Sequence, residues 1–170
     1  QPRDRAGAAF TRVDQTALAG NATLAQRDLQ DFIRRFDGTV EADQARLLLA
    51  KIHLDAAKPR EAVTVLQQVD EGVEGPVGAQ AAMLLGAAQN QAGDRQAAVA
   101  TYLGVADGSE LEYQQQAALE QAALLRQQGG DFAGAAELFR RLVGMTEEGS
   151  FERSVFEMRL AEAEGRAQGK

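Results

Sequence analysis

The residue types that could do chemistry are few in this chain and stand far apart. His53 is the only histidine, and there is no cysteine. A nucleophilic thiol, a thiolate zinc site and a disulfide framework are therefore excluded. No second imidazole exists to share a metal with His53. The serines are Ser109, Ser150 and Ser154. None lies in a G-x-S-x-G elbow, and pairing one with His53 as its base would need residues from distant segments. Asp and Glu are plentiful but scattered, at expected helix starts and outer faces where they suit the helix dipole. No phosphate loop, dinucleotide fingerprint or calcium loop occurs. Gly129-Gly130-Asp131 reads as a joint between helices, not a cradle. The sequence thus predicts no catalytic residue, no metal ligand and no cofactor, and the chain reads as a non-enzyme.

Charge narrows the partners. The net charge is −7, and the lysines are only Lys51, Lys58 and Lys170. A basic stripe for nucleic acid is missing, as is a polybasic membrane patch. The arginines, single or paired as in Arg34-Arg35 and Arg140-Arg141, read as solvated faces or i,i+4 ion pairs. No apolar run approaches the ~18 residues of a membrane span, so no direct membrane insertion is expected of this segment. The chain opens on Gln1-Pro2-Arg3-Asp4-Arg5. That start reads as the juncture left by a removed signal peptide, lipoprotein signal or membrane anchor, or by a truncation.

Helices must position whatever this chain presents. Hydrophobic residues make up 45% and aromatics 5%, with no Trp. Alanine dominates the apolar set, and it favours helices and lets their backbones approach. Only three prolines occur, so helices run uninterrupted. No alternating β-branched run predicts a sheet.

One pattern recurs four times, clearest from Leu85 to Tyr102. A small residue falls at Gly20, Ala57, Gly93 and Gly130, in steps of 37, 36 and 37. Five residues on stands Ala25, Ala62, Ala98 and Ala135; four further, Leu29, Leu66, Tyr102 and Phe139; three further, Phe32, Val69, Val105 and Leu142. A fixed period in this range means stacked two-helix repeats, an α-solenoid. The repeats run over about 5–37, 40–74, 75–110 and 111–147, each a helix A, a tight turn at the small residue and a helix B. Pro59 marks the start of a helix B, Asp94 supplies an N-cap, and Gly38 a left-handed stop. A solitary terminal helix over about 150–166, with Ser150 as N-cap, closes the array.

These residues closely resemble the tetratricopeptide repeat (TPR) family. Repeat three carries Leu85, Gly86, Gly93, Ala98 and Tyr102; repeat two, Leu49, Ala50, Ala57, Ala62 and Leu66; repeat four, Ala122, Ala123, Gly130, Ala135 and Phe139. Repeat one is weakest, with Arg12 and Val13 in helix A but Gly20, Ala25 and Leu29 kept. The period exceeds the family's 34, and Asp37, Glu74, Glu110 and Glu147 replace its late proline. The resemblance implies an all-α, TPR-like α-solenoid of four helix-turn-helix units plus a C-terminal capping helix, one domain over 1–170. It implies a protein or peptide partner. Within the family, the joint Asp31–Thr39 followed by Glu41-Ala-Asp-Gln-Ala45 is similar to bacterial envelope members such as the ancillary TPR subunit of the secretion translocon. Those members carry an N-terminal anchor, so a periplasmic or other extracytoplasmic location is expected.

Mapped by repeat offset, the resemblance gives peptide-groove candidates on the inner helix A faces: Phe10, Asp14, Leu47, Lys51, Asp55, Met83, Asn90, Gln91, Glu120, Leu124 and Gln127, with Ala87 beside them. The family's clamp for C-terminal carboxylates is absent, its positions holding Leu47, Lys51, Met83 and Ala87. The terminal helix has two apolar stripes. Phe151, Val155 and Met158 form one, expected to cover repeat four; Phe156 and Leu160 form the other, expected to be left unpaired. With Phe10, Val13 and Leu18 at the other end, Phe156 and Leu160 are candidates for an end interface. The pattern supports three readings: an interaction scaffold of the cell envelope, a structural protein assembling head to tail, and a secretion or membrane-protein assembly factor holding extended clients.

Overall fold

The computed structural model describes the backbone of residues 2–169 and the side chains of residues 5–169. Gln1 and Lys170, the ends of the expected domain, lie outside the described residues, as do the side chains of residues 2–4 in the expected juncture. Among the described residues there are nine α-helices and no strand. Two compact units emerge, Gln1–Ala92 and Gly93–Lys170. The first holds α1 (Pro2–Leu18), α2 (Ala22–Arg35), α3 (Val40–Asp55), α4 (Pro59–Leu66) and α5 (Pro76–Gln91). The second holds α6 (Arg95–Gly108), α7 (Glu112–Gln128), α8 (Phe132–Gly144) and α9 (Phe151–Ala167).

Each repeat turn rests on one left-handed residue. Gly20, Gly93 and Gly130 have φ of 85°, 89° and 83°, and Ala57 adopts 56° despite its Cβ. A non-glycine residue there costs about 1–2 kcal/mol. Ala57 is held by the chain reversal around it: Lys58 N–H donates to the His53 carbonyl at 2.8 Å and Ala57 N–H to Leu54 at 3.0 Å. Asp131 and Gly130 make the same pair of bonds, to Arg126 and Gln127, a Schellman closure in both cases. The next helix is then capped by a side chain that accepts a backbone N–H: Asn21 from Leu24, Asp94 from Ala97 and Asp131 from Gly134. Pro59 stands in the first turn of α4 as its sequence demands.

The recurring helix B positions form the core. Ala25, Ala62, Ala98 and Ala135 have no exposed surface, and Leu29, Leu66, Tyr102 and Phe139 are buried. Burying each large apolar side chain contributes roughly 1.5–3 kcal/mol. In the last set, Phe32, Val105 and Leu142 are buried, but Val69 is only half-buried. The reason is that α4 stops at Leu66, whereas α2, α6 and α8 run 13 or 14 residues. Val63, Thr64 and Val65 weaken its last turn, Gly72 and Gly75 interrupt the segment beyond it, and Pro76 pushes Gly75 out of the helical region.

In the first unit, α3 packs on α1, α2, α4 and α5. Phe10 meets the Phe32 ring edge-on at 5.8 Å, and Phe32 meets Phe36 at 4.7 Å. Beside this apolar cluster lies a buried ionic node on α3. Arg46 Nη1 donates to Asp43 Oδ1 at 2.8 Å, and Arg46 also pairs with Asp37. The Asp43 carboxylate accepts the backbone N–H groups of Asp70 and Glu71 at 3.2 Å. It thereby holds the irregular stretch after α4. That stretch lies so close to α5 that a Cβ on Gly78 would meet the carbonyl oxygens of Glu71 and Gly72. The Glu71 carboxylate accepts Gly78 N–H at 2.7 Å and caps α5 in place of Gly75, which has no side chain to do so.

In the second unit, α7 packs on α6 and α8, and α8 on α9. Phe139, Leu119, Leu142 and Val105 are fully buried. Ion pairs tie helices distant in sequence, exposed for Arg141 to Asp107 at 3.0 Å and Arg140 to Glu164 at 2.7 Å, and half-buried for Arg159 to Glu120 at 3.0 Å.

Candidate interaction surfaces

The sequence places Lys51 and Asp55 one turn apart on α3, and Met83, Ala87, Asn90 and Gln91 in a stripe along α5. These two helices pack side by side in the first unit. Lys51, Asp55, Asn90 and Gln91 are exposed, while Met83 and Ala87 are half-buried. The α5 stripe thus runs from half-buried apolar residues to an exposed polar end, while Asp55 lines a depression with Ala17, Gly20 and Ala22. Leu47 is corrected: only 7% exposed, it packs with Ala50, Val77 and Ala81 in the core. Its side chain is spent between α3 and α5 and is not available to a ligand. Phe10 is likewise a packing residue, half-buried against Phe32, and Asp14 is half-buried.

On α7, Glu120, Leu124 and Gln127 are all half-buried. Glu120 Oε1 accepts from Arg159 Nη1 of α9, so the terminal helix engages this face.

The end candidates come out differently from their expected orientation. On α1, Val13 is half-buried and Leu18 is 80% exposed. On α9, the two stripes are reversed. Phe156 is 4% exposed and Ala163 fully buried, and Leu160 is half-buried. Phe151 and Met158, expected to cover repeat four, are instead 85% and 66% exposed. Polar contacts of α9 accompany this rotation. Arg153 Nη1 donates to the Thr146 carbonyl at 3.1 Å, Glu164 holds Arg140, and the Arg166 guanidinium lies 5.2 Å over the Phe132 ring. A cleft of about 260 Å³ lies between α1 and α2, walled by Val13, Phe32 and Phe36 and edged by Arg12, Arg35, Asp28 and Asp31.

The groups able to do chemistry are committed to structure. His53 is buried on α3, and its Nδ1 has no hydrogen-bond partner among the described residues. Burial pushes its pKa below the usual 6.5; Lys58 adds to this and Glu61 opposes it. Asp37 is held below the ordinary carboxylate range by its hydrogen bond and charge contact with Arg46. Burial raises the Tyr102 phenol. The Ser109 hydroxyl donates to Gln114 Oε1 at 2.7 Å, Ser150 caps α9, and Ser154 donates to the Ser150 carbonyl. Among the described residues, no cluster of three His, Asp or Glu could hold a metal, and no helix is long and apolar enough to cross a membrane.

Sequence reading missed the Asp43–Arg46 node, which it placed among solvated charges. A signal was present: both charges sit inside Ala42–Ala50, a run otherwise apolar apart from Gln44.

The profile of the tetratricopeptide repeat-like domain matches residues 1–107. A comparison with curated proteins finds no match. Among solved structures, the chain is similar to the nearly identical TPR-like repeats of a Podosopora anserina protein described as a putative kinesin light chain. That match has 19% identity and a TM-score of 0.72, over 100% of this chain and 90% of that one. It is also similar to MamA, with 17% identity and a TM-score of 0.67, over 96% of this chain and 88% of that one. At these identities the likeness carries the fold alone.

Proposed function

The chain belongs to the tetratricopeptide repeat-like domain family, whose fold is generally a non-catalytic interaction scaffold, and from that premise we propose that the α3–α5 face holds an extended peptide segment of a protein partner. One observation carries the reading: on the packed helices α3 and α5, Lys51 and Asp55 of the one and Asn90 and Gln91 of the other are exposed, with Met83 and Ala87 half-buried in the α5 stripe. Asn and Gln amides can pair with the backbone of an extended segment, while Met83 and Ala87 accept one side chain. Lys51 and Asp55 add opposite charges that set its direction.

We further propose that this scaffold works outside the cytoplasmic membrane of a bacterial cell, from the resemblance of the segment Asp31–Ala45 to envelope members of the family; cell fractionation tests that placement. Binding is tested by fluorescence titration against a library of extended peptides. Met83→Glu and Asn90→Ala are expected to weaken capture on the order of tenfold each, with helix content unchanged. Many weak binders of unrelated sequence would favour a holder of extended clients; a single sequence class would favour a dedicated partner. Capture undiminished by both substitutions would remove this face from the function.

A further inference from the structure

We propose that the outer face of α9 on one copy docks into the α1–α2 cleft of a second copy, so that the chain assembles head to tail. The two surfaces are independent of the α3–α5 face.

The first surface is an exposed apolar stripe. Phe151 is 85% and Met158 66% exposed, with half-buried Val155 between them. Spacings of four and three put all three on one side of the helix. Phe156 and Ala163 are buried in the same helix, so α9 is apolar on two faces. A helix of that kind is normally covered on both. The stripe also carries a charge signature. Glu147, Glu148 and Glu152 flank Phe151 in sequence, all exposed and without an ion pair among the described residues. Farther along, Glu157 is matched by Arg153 at 3.0 Å.

The second surface has the complementary signature. Arg12 occupies the repeat position filled by Leu49, Leu85 and Ala122 elsewhere, and it edges the cleft opposite Arg35. Of the two carboxylates there, Asp31 already pairs with Arg34, which leaves Asp28 against two guanidiniums. With Arg34 counted beside its partner, three guanidiniums face two carboxylates, a single positive charge in excess, above an apolar wall of Val13, Phe32 and Phe36. At about 260 Å³ it falls below the usual ~300–1,000 Å³ of a small-molecule site and suits insertion of a few side chains. Phe151 and Met158 lie about 10 Å apart along the α9 axis, with the acidic end beside the ring. Charge complementarity thus selects a second copy as the occupant. Because the two surfaces differ, the contact is heterologous and each added copy exposes a fresh stripe.

The test is sedimentation of the full chain from about 10 μM to about 1 mM, where small interfaces associate, at low and high salt. The average mass is expected to climb from 18.2 kDa with concentration and to fall back in salt, as exposed charges are screened. Two double variants at exposed positions, with helix content checked by circular dichroism, separate the surfaces: Phe151→Glu with Met158→Glu, and Arg12→Glu with Arg35→Glu. Each alone is expected to remain at monomer mass. Mixed in equal amounts, they are expected to form a species of two copies and no more, since one intact surface of each kind remains. A wild-type chain that stays monomeric over the whole range overturns the proposal. So does a mixture that forms no pair, and so does a wild-type dimer that the α9 variant breaks but the Arg12 and Arg35 variant leaves intact.

Discussion

The two compact units use one repeat motif and solve the same packing problem with different chemistry. In Gly93–Lys170 the helix B segments run 14 and 13 residues, and the charges that link distant helices stay at the surface. In Gln1–Ala92 the second helix B ends after eight residues, and a buried carboxylate–guanidinium pair replaces the missing turn as the anchor of the chain. Exposed ion pairs in the one unit can be lost cheaply. The buried pair in the other cannot, because removing one partner strands the other in a place without water. The motif sets where turns and core alanines fall; how each helix B ends is left to local residues.

Asp43→Ala should break the comparison most severely. Arg46 would keep only exposed Asp37, and the N–H groups of Asp70 and Glu71 would lose their acceptor. A loss of about 3 kcal/mol is expected, read by urea unfolding and localised to α3–α5 by hydrogen exchange. Arg159→Ala in the second unit, where the pair with Glu120 is about one-third exposed on each side, should cost under ~1 kcal/mol. Equal losses from the two substitutions would erase the distinction drawn between the units.

The turns give a smaller and opposite pair of effects. Ala57→Gly should stabilise the first unit by about 1 kcal/mol, because glycine relieves the left-handed strain. Gly130→Ala should destabilise the second by about the same amount. An added Cβ on Gly130 meets no atom within 4 Å, so this change reads the backbone cost without a clash. Melting temperatures that moved in the same direction would mean that the turns are not equivalent.

The smallest effect is one of pH. The folded pKa of His53 lies below its unfolded value, so the unfolded chain binds a proton more readily than the folded one below about pH 6.5. Stability of the first unit should therefore decline as pH falls from that point toward the depressed folded value. His53→Leu should flatten that slope. The second unit contains no histidine and should show no such slope between about pH 5.5 and 7. Thermal unfolding across this range, with exchange protection read for each unit, checks both halves of the statement.

Much of the fold was legible because the repeat writes it four times. The turn positions, the buried alanines, the proline start of α4 and the caps Asp94 and Ser150 were all readable from period and residue type. The rotation of α9 was not. Its two apolar stripes are nearly opposite, so amphipathicity alone cannot choose between them. Burial of Phe156 and Ala163, with the contacts of Arg153, Glu164 and Arg166 alongside, appears only once α9 is packed. Asp43 and Arg46 were illegible for a related reason: a charged pair at i,i+3 has the same spelling on a solvated face and inside a core. Leu47 was misassigned because repeat offset gives a position on a helix but not the size of the neighbour that covers it. The surfaces were legible as stripes, and their exposure only from packing.

Gly78 bears on how such arrays can be rebuilt. Repeats are often treated as cassettes to be duplicated, deleted or exchanged. The tail of repeat two runs against the first turn of α5, and only a residue without a side chain lets the two backbones pass. Glu71 from that tail also supplies the cap of α5. Repeat two and the helix after it are thus a matched pair of parts. A generic repeat spliced in behind Gly75 would bring a side chain to the crossing and lose the capping carboxylate. Shuffling this array therefore requires a cut outside the Glu71–Gly78 crossing, with both sides of it carried together.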